Sequence, residues 1–228
     1  MGEKKTDSSE IIEFIDNLER KHKKSDRSFW PKFIFHYTPL ETAIKILRDG
    51  KLKSRFDLES SNELLMSVGS REILNQTNPE KKKFVRLYFR PRTPPQFLIE
   101  GIRPKDKISS LNAHCPIPIF FLFDSRKLLT SKETRFTNGN YSKRDVQVGN
   151  NIEFLNNLPF DNIYHIGPYN IHLNSEIKFY RCAEVLYPRE LDLKTLRFIC
   201  CRSEAEKDTL LNLLPSKILS DWYDKIIK

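Results

Sequence analysis

Apolar residues recur along the chain at two spacings, and the spacing sorts it into helices and strands. Ile11, Phe14, Ile15 and Leu18 lie three and four apart, the stripe of an amphipathic helix, with Ser8 or Ser9 as its cap. Phe33-Ile34-Phe35-His36-Tyr37 is aromatic and β-branched, which predicts a strand. Behind it, Thr38 and Glu41 have capping-box spacing, Pro39 takes the first helical position and Gly50 closes the helix. Leu40, Ile44 and Leu47 form the face that this helix buries. Phe84–Phe89 predicts a further strand, halted by Pro91, Pro94 and Pro95, and the continuous apolar run Ile117–Phe123 predicts a central buried one. A short helix is expected over Ile152–Leu158, then strands over Ile177–Tyr187 and Leu196–Arg202. Ser203 and Glu206 make a second capping box before a helix carrying Leu210, Leu211 and Leu214. A last helix after Pro215 carries Ile218, Leu219, Trp222 and Ile226.

Strands broken irregularly by helices, without βαβ alternation, indicate an α+β fold. Residues 1–28 are expected as an N-terminal helix with a charged linker, and residues 29–228 as the main domain. Residues 130–175 hold a stretch rich in Asn and Gly, and a loop that long in a small domain is usually functional or mobile.

Composition narrows the function classes. The 228 residues are 39% hydrophobic and 30% charged, as in an ordinary globular protein. No apolar run approaches the roughly 20 residues that span a bilayer, and no apolar stretch follows MGEKKTDSSE, so a cytoplasmic protein is expected. The net charge of +9 favours polyanionic partners, with basic runs at Arg20–Lys24 and Lys81–Lys83 and more Arg across 86–92. By themselves such runs more often mark a solvated face. Cys115, Cys182, Cys200 and Cys201 show no CxxC spacing and are expected as free, buried thiols rather than a disulfide framework or a metal site. Seven glycines build neither GxGxxG nor a Walker loop, and HExxH and GxSxG are missing too. Chemistry built on scattered His, Arg and carboxylate groups is left.

Four segments carry that chemistry: F-I-F-H-Y-T (Phe33–Thr38), V-R-L-Y-F-R-P-R-T-P (Val85–Pro94), F-T-N-G-N (Phe136–Asn140) and R-C-A-E-V-L (Arg181–Leu186). Taken singly, each has an ordinary explanation. His36 and Arg92 are a strand-end histidine and a turn arginine, Thr38 is a cap, and Tyr88 and Phe89 belong to a core. Glu184 lies between Ala183 and Val185 in the middle of the predicted strand, where an exposed position is the default.

In this order, the four segments resemble the DarT-like ADP-ribosyltransferases over about residues 33–190. That family has a first-strand His followed by Thr, a Y-F-x-P-R-x-P segment, an F-T-D-G-N-A-like segment and a late A-E-x-L strand. Asn138 replaces the family's Asp, and Pro95-Gln96-Phe97 stands where members often carry Met-Leu-Tyr. The resemblance implies an ADP-ribosyltransferase fold with two packed antiparallel sheets around an NAD cleft. NAD+ is then a consumed substrate, and no metal is called for. Glu184 matches the catalytic carboxylate, which suits a reaction through an oxocarbenium-like ribose. Arg92 becomes an active-site cation that grips the pyrophosphate, with a part in deprotonating the acceptor. His36, Thr38 and Tyr88 become cofactor contacts.

The resemblance also implies a base of single-stranded DNA as acceptor and a role as the toxin of a toxin–antitoxin or phage-defence system with a cognate antitoxin. Residues 136–175 would read the acceptor: Phe136, Tyr141, Tyr164 and Tyr169 lie among Lys143 and Arg144, Arg90 is a further expected contact from the second segment, and aromatics among cations suit single strands. RNA in place of DNA, and a basic nucleic-acid-binding module without catalysis, are the alternatives.

Overall fold

The apolar run expected at the centre is there. Strand β4 (Pro118–Asp124) is paired on both sides, and Ile119, Phe121 and Phe123 are wholly buried. The computed structural model describes residues 2–63, 77–108, 113–168, 170 and 174–228. On one side of β4 lies β1 (Phe33–Pro39), in register from Phe33↔Asp124 to Pro39↔Pro118. On the other lie β9 (Leu196–Cys200) and, parallel to it, β10 (Ile226–Ile227). Beyond β1 come β3 (Phe84–Tyr88), β7 (Glu184–Pro188), β5 (Arg135–Thr137) and β6 (Val148–Gly149), all antiparallel. The sheet therefore runs β10-β9-β4-β1-β3-β7-β5-β6, and β2 (Lys51–Lys53) with β8 (Glu190–Asp192) forms a separate ladder.

The fold is α+β, as the sequence indicates. The eight-stranded sheet is unevenly joined: β1 and β3 meet at one register pair, Phe35↔Tyr88, against seven between β1 and β4. The two expected sheets are thus two halves, β10-β9-β4-β1 and β3-β7-β5-β6, with a seam between them. One apolar core serves both, since Phe121 and Ile34 cluster with Leu87, Phe136 and Val185. Among the described residues, no helix is long and apolar enough to cross a membrane.

Helix α1 (Ser8–His22) packs Ile11 and Ile15 into that core. Its cap position is Asp7, not Ser8 or Ser9, and the Asp7 carboxylate accepts instead from Ile152 N, at the start of the helix Ile152–Asn156. Helix α2 (Leu40–Asp49) ends at Gly50 as expected, with φ 68° and its N–H on the Ile46 carbonyl, a left-handed cap that favours glycine. Its start differs from the expectation. The β1–β4 ladder continues to Pro39, Leu40 N donates to Ile117 O, and Thr38 lies in the strand, so no Thr38–Glu41 box forms. A reciprocal box forms between Thr93 and Gln96 instead, at the helix Pro94–Ile99. Ser203 caps the helix Glu204–Leu213 as expected, although the Glu206 carboxylate turns to Arg202 N.

One strand reading and one helix reading change. Residues Ser175–Tyr180 are helical: Glu176 places an acidic group in the first turn, and the ring of Phe179 packs on Gly139, where a Cβ would come within 2.7 Å of it. Ile226 leaves the last helix, which is Ser216–Trp222, and pairs with Ile199. All four cysteines are free, with Cys200 half-buried and the others buried.

Candidate active site

The four segments singled out in the sequence become neighbours. Phe33–Thr38 is in β1, Val85–Tyr88 in β3, Phe136–Thr137 in β5 and Glu184–Leu186 in β7, and the sheet orders these strands β1-β3-β7-β5. Antiparallel pairing sets the start of β7 beside the ends of β3 and β5: Glu184 opposes Tyr88, and Phe136 opposes Val185. The Pro-bracketed turn bearing Arg92 and the loop after Thr137 therefore both leave the sheet at Glu184.

Glu184 is the first residue of β7 rather than mid-strand, and it is 0% exposed. Its Oε2 accepts from Arg86 Nε at 2.7 Å, Arg86 Nη2 at 2.5 Å and Tyr141 N at 2.9 Å. Its Oε1 is buried and accepts nothing among the described residues. Burial pushes the carboxyl above its ordinary value, while the Arg86 charge and the Tyr141 amide act against that rise. A carboxylate with one oxygen held by three donors and the other buried without a partner among the described residues keeps one acceptor for a polar or cationic group.

The main chain here is anchored by Thr137, whose buried hydroxyl accepts from Glu184 N at 2.9 Å and donates to Gly139 O at 2.7 Å. Thr137→Val keeps the shape and strands both backbone groups. We expect about 1–3 kcal/mol of lost stability, seen as a lower melting temperature, together with a lower kcat as Glu184 shifts. An unchanged kcat would mean that Thr137 does not position Glu184.

His36 is half-buried on the seam, with Nδ1 3.0 Å from Arg86 O. A carbonyl only accepts, so Nδ1 donates and Nε2 of the neutral ring is left as an acceptor. Desolvation lowers the His36 pKa, the Arg86 carbonyl opposing it, and the ring stays neutral at pH 7. Thr38 is buried two residues along the same strand. Tyr88 lies beside Glu184 and stacks on Tyr37, with centroids 5.8 Å apart at 23°. Arg92 is exposed and pairs with no carboxylate among the described residues.

The expected nucleic-acid contacts divide. Arg90 is 2% exposed, donates to Ile163 O and His165 O, and lies 5.0 Å from the Trp30 ring centre, so it is a strut of the core rather than a contact. Phe136 and Tyr164 are core residues too, and Tyr169 lies outside the described residues. Lys143 and Arg144 are exposed, and Tyr141 is half-buried between Phe84, Lys81 and Arg86. Asn138 closes the neck of this loop by donating to Gln147 Oε1 and accepting from Gln147 N, a pairing that needs the amide and that an Asp could not complete. Burial pushes the Cys182 thiol, two residues before Glu184, up to about 12, which leaves it protonated. No group of three His, Cys, Asp or Glu among the described residues is placed to hold a metal.

A family model described as "ssDNA thymidine ADP-ribosyltransferase, DarT" matches residues 35–224. The chain belongs to the DarT family. The fold agrees with the solved DarT of Thermus sp. 2.9 in complex with NAD+, at TM-score 0.65 and 18% identity over 87% of this chain and 96% of that one. It agrees also with the same protein in complex with ADP-ribosylated ssDNA, at TM-score 0.68 and 17% identity over 86% and 93%. Thermosipho africanus DarTG in complex with ADP-ribose matches at TM-score 0.61 and 15% identity over 86% of this chain and 49% of that longer one. No curated protein sequence matches. As a DarT-family member, the chain is an NAD+-consuming ADP-ribosyltransferase whose acceptor is a base of single-stranded DNA, not a binding module without catalysis.

Proposed function

We propose that Glu184 is the catalytic carboxylate of this DarT-family enzyme and that NAD+ lies across the seam between β1 and β3. The observation that carries this is the unpartnered Oε1 of a buried carboxylate whose other oxygen is fixed. When the N-glycosidic bond breaks, its electron pair leaves with neutral nicotinamide and the ribose becomes an oxocarbenium-like cation. A fixed anion in a water-poor site stabilises that charge where it develops. A nitrogen of the acceptor base then attacks C1′, forming the new glycosidic bond, and releases its proton to water. The neutral His36 offers Nε2 to a ribose hydroxyl, with Thr38 and Tyr88 beside it. Arg92 supplies a bidentate donor for the pyrophosphate and a cation close to the departing proton.

The family description points to thymine as the base. The DarTG homologue points to a toxin with a cognate antitoxin, and a cytoplasmic site of action suits a consumer of NAD+ and DNA. The test is mass spectrometry after incubation with NAD+ and matched DNA and RNA oligonucleotides that differ in one base. One ADP-ribose on thymine-containing DNA supports the reading. Modification of RNA alone would move the substrate to transcripts, and no NAD+ consumption would overturn the enzyme.

Tyr141, Lys143 and Arg144 are the acceptor-strand contacts in this reading. Replacing Lys143 and Arg144 by Ser should raise KM for ssDNA and leave KM for NAD+ near wild type. Each lost phosphate contact should also reduce the log–log salt slope of ssDNA binding by about 0.7. An unchanged slope would remove both residues from the DNA path.

A further inference from the structure

We propose that Arg86 is a positioning residue, whose single guanidinium fixes one oxygen of Glu184 and the acceptor loop together, so that carboxylate and acceptor base are presented as one unit. The inference rests on the reading of Glu184 as the catalytic group. Arg86 Nε and Nη2 both donate to Glu184 Oε2, Nη2 also reaches Asn140 Oδ1 at 3.2 Å, and Nη1 reaches Ser142 Oγ at 3.4 Å. Between those two loop residues, Tyr141 sends its amide to the same Oε2 and lays its ring 5.4 Å from the guanidinium carbon. Carboxylate, loop side chains and loop backbone thus meet on one planar fork. A lysine, with a point charge and no fixed plane, could keep the charge but not this set of directions. The arrangement leaves Oε1 as the carboxylate oxygen without a hydrogen-bond partner among the described residues.

The fork also sets the protonation of Glu184. The groups facing the carboxylate are Arg86 and Tyr88 from β3, Tyr37 from β1, Lys81 from the helix Pro79–Lys82, Cys182 just before β7 and the Tyr141 amide. Burial holds the two phenols and the thiol neutral at pH 7, so Arg86 and Lys81 are the charges that oppose desolvation of Glu184, Arg86 first. The carboxylate stabilises a cation only when ionised. Losing the Arg86 charge raises its pKa and moves the acid limb of activity to higher pH.

The test uses the full chain with NAD+ and a single-stranded thymine-containing DNA, comparing Arg86→Gln, Arg86→Lys and Glu184→Gln. For Arg86→Gln the acid limb of kcat/KM should move up by about 1–3 pH units. For Arg86→Lys the limb should stay within about half a unit of wild type, while KM for ssDNA rises about tenfold from the loss of the Asn140 and Ser142 bonds. KM for NAD+ should change less than KM for ssDNA. An Arg86→Gln profile that is only scaled down, with its acid limb unmoved, would overturn the proposal. If Arg86→Gln does not fold, Arg86→Lys decides, and a wild-type KM for ssDNA in that variant overturns it. Full activity in Glu184→Gln would instead overturn the reading of Glu184, and that outcome is distinct from inactivity of Glu184→Gln beside an unshifted Arg86→Gln.

Discussion

Glu184→Gln should lower kcat for ADP-ribose transfer by about 10²–10³-fold, the scale for removing one preorganised charge-stabilising group. The substitution keeps the size of the side chain, removes its charge and turns one acceptor oxygen into a donor. NAD+ affinity, measured by calorimetry, should change far less than kcat, because the anion acts most strongly on the cation that forms after binding. The melting temperature should move little. Arg86 retains Asn140 and Ser142 and is partly solvated, so it is not left buried without a partner. Turnover within tenfold of wild type would assign charge stabilisation to another group.

Arg90→Ala should have the largest effect on stability. The side chain is 2% exposed, sends Nη1 to the carbonyls of Ile163 and His165 at 2.8 and 3.0 Å, and packs on Trp30. Truncation leaves those carbonyls without this charged donor and opens a void against the indole, a loss of about 3 kcal/mol. For a chain of this length, the melting temperature should fall by roughly 6–12 °C. The salt dependence of ssDNA binding should be that of wild type. An unchanged melting temperature with a shallower salt slope would return Arg90 to the DNA path.

The sequence made His36, Thr38, Tyr88 and Glu184 legible as a group because they recur in a family order, and strand pairing brings them together. The structure adds Arg86 and Thr137, which the motifs did not single out. Arg86 left a faint trace: in Phe84–Phe89 the residues Val85, Leu87 and Phe89 alternate with Phe84, Arg86 and Tyr88, and only Arg86 puts a charge on the second face. Its partner lies 98 residues away, so the pair was beyond local reading. Arg90 misled for the same reason. A guanidinium in a basic stretch looks solvated until Ile163 and His165 close over it. The Thr38–Glu41 box and the strand over Ile177–Tyr180 failed because tertiary pairing overrode local preference, through the β1–β4 ladder in one case and the packing of Phe179 on Gly139 in the other. Central β4 and the Gly50 cap were read correctly, since a continuous apolar run and a helix-ending glycine depend little on distant context.

The single rung between β1 and β3 divides the cooperativity of the sheet. Sliding one half past the other breaks few main-chain bonds, and the shared core resists that motion through side chains alone. NAD+ lodged in the seam, as proposed, would supply cross-links that the ladder lacks, and its binding energy would add to the cohesion of the two halves. At a hundredfold excess over Kd that addition is about 2.7 kcal/mol. Its signature is local: amide exchange slows along β1 and β3 when NAD+ is added, and stays as it was in β9 and β10.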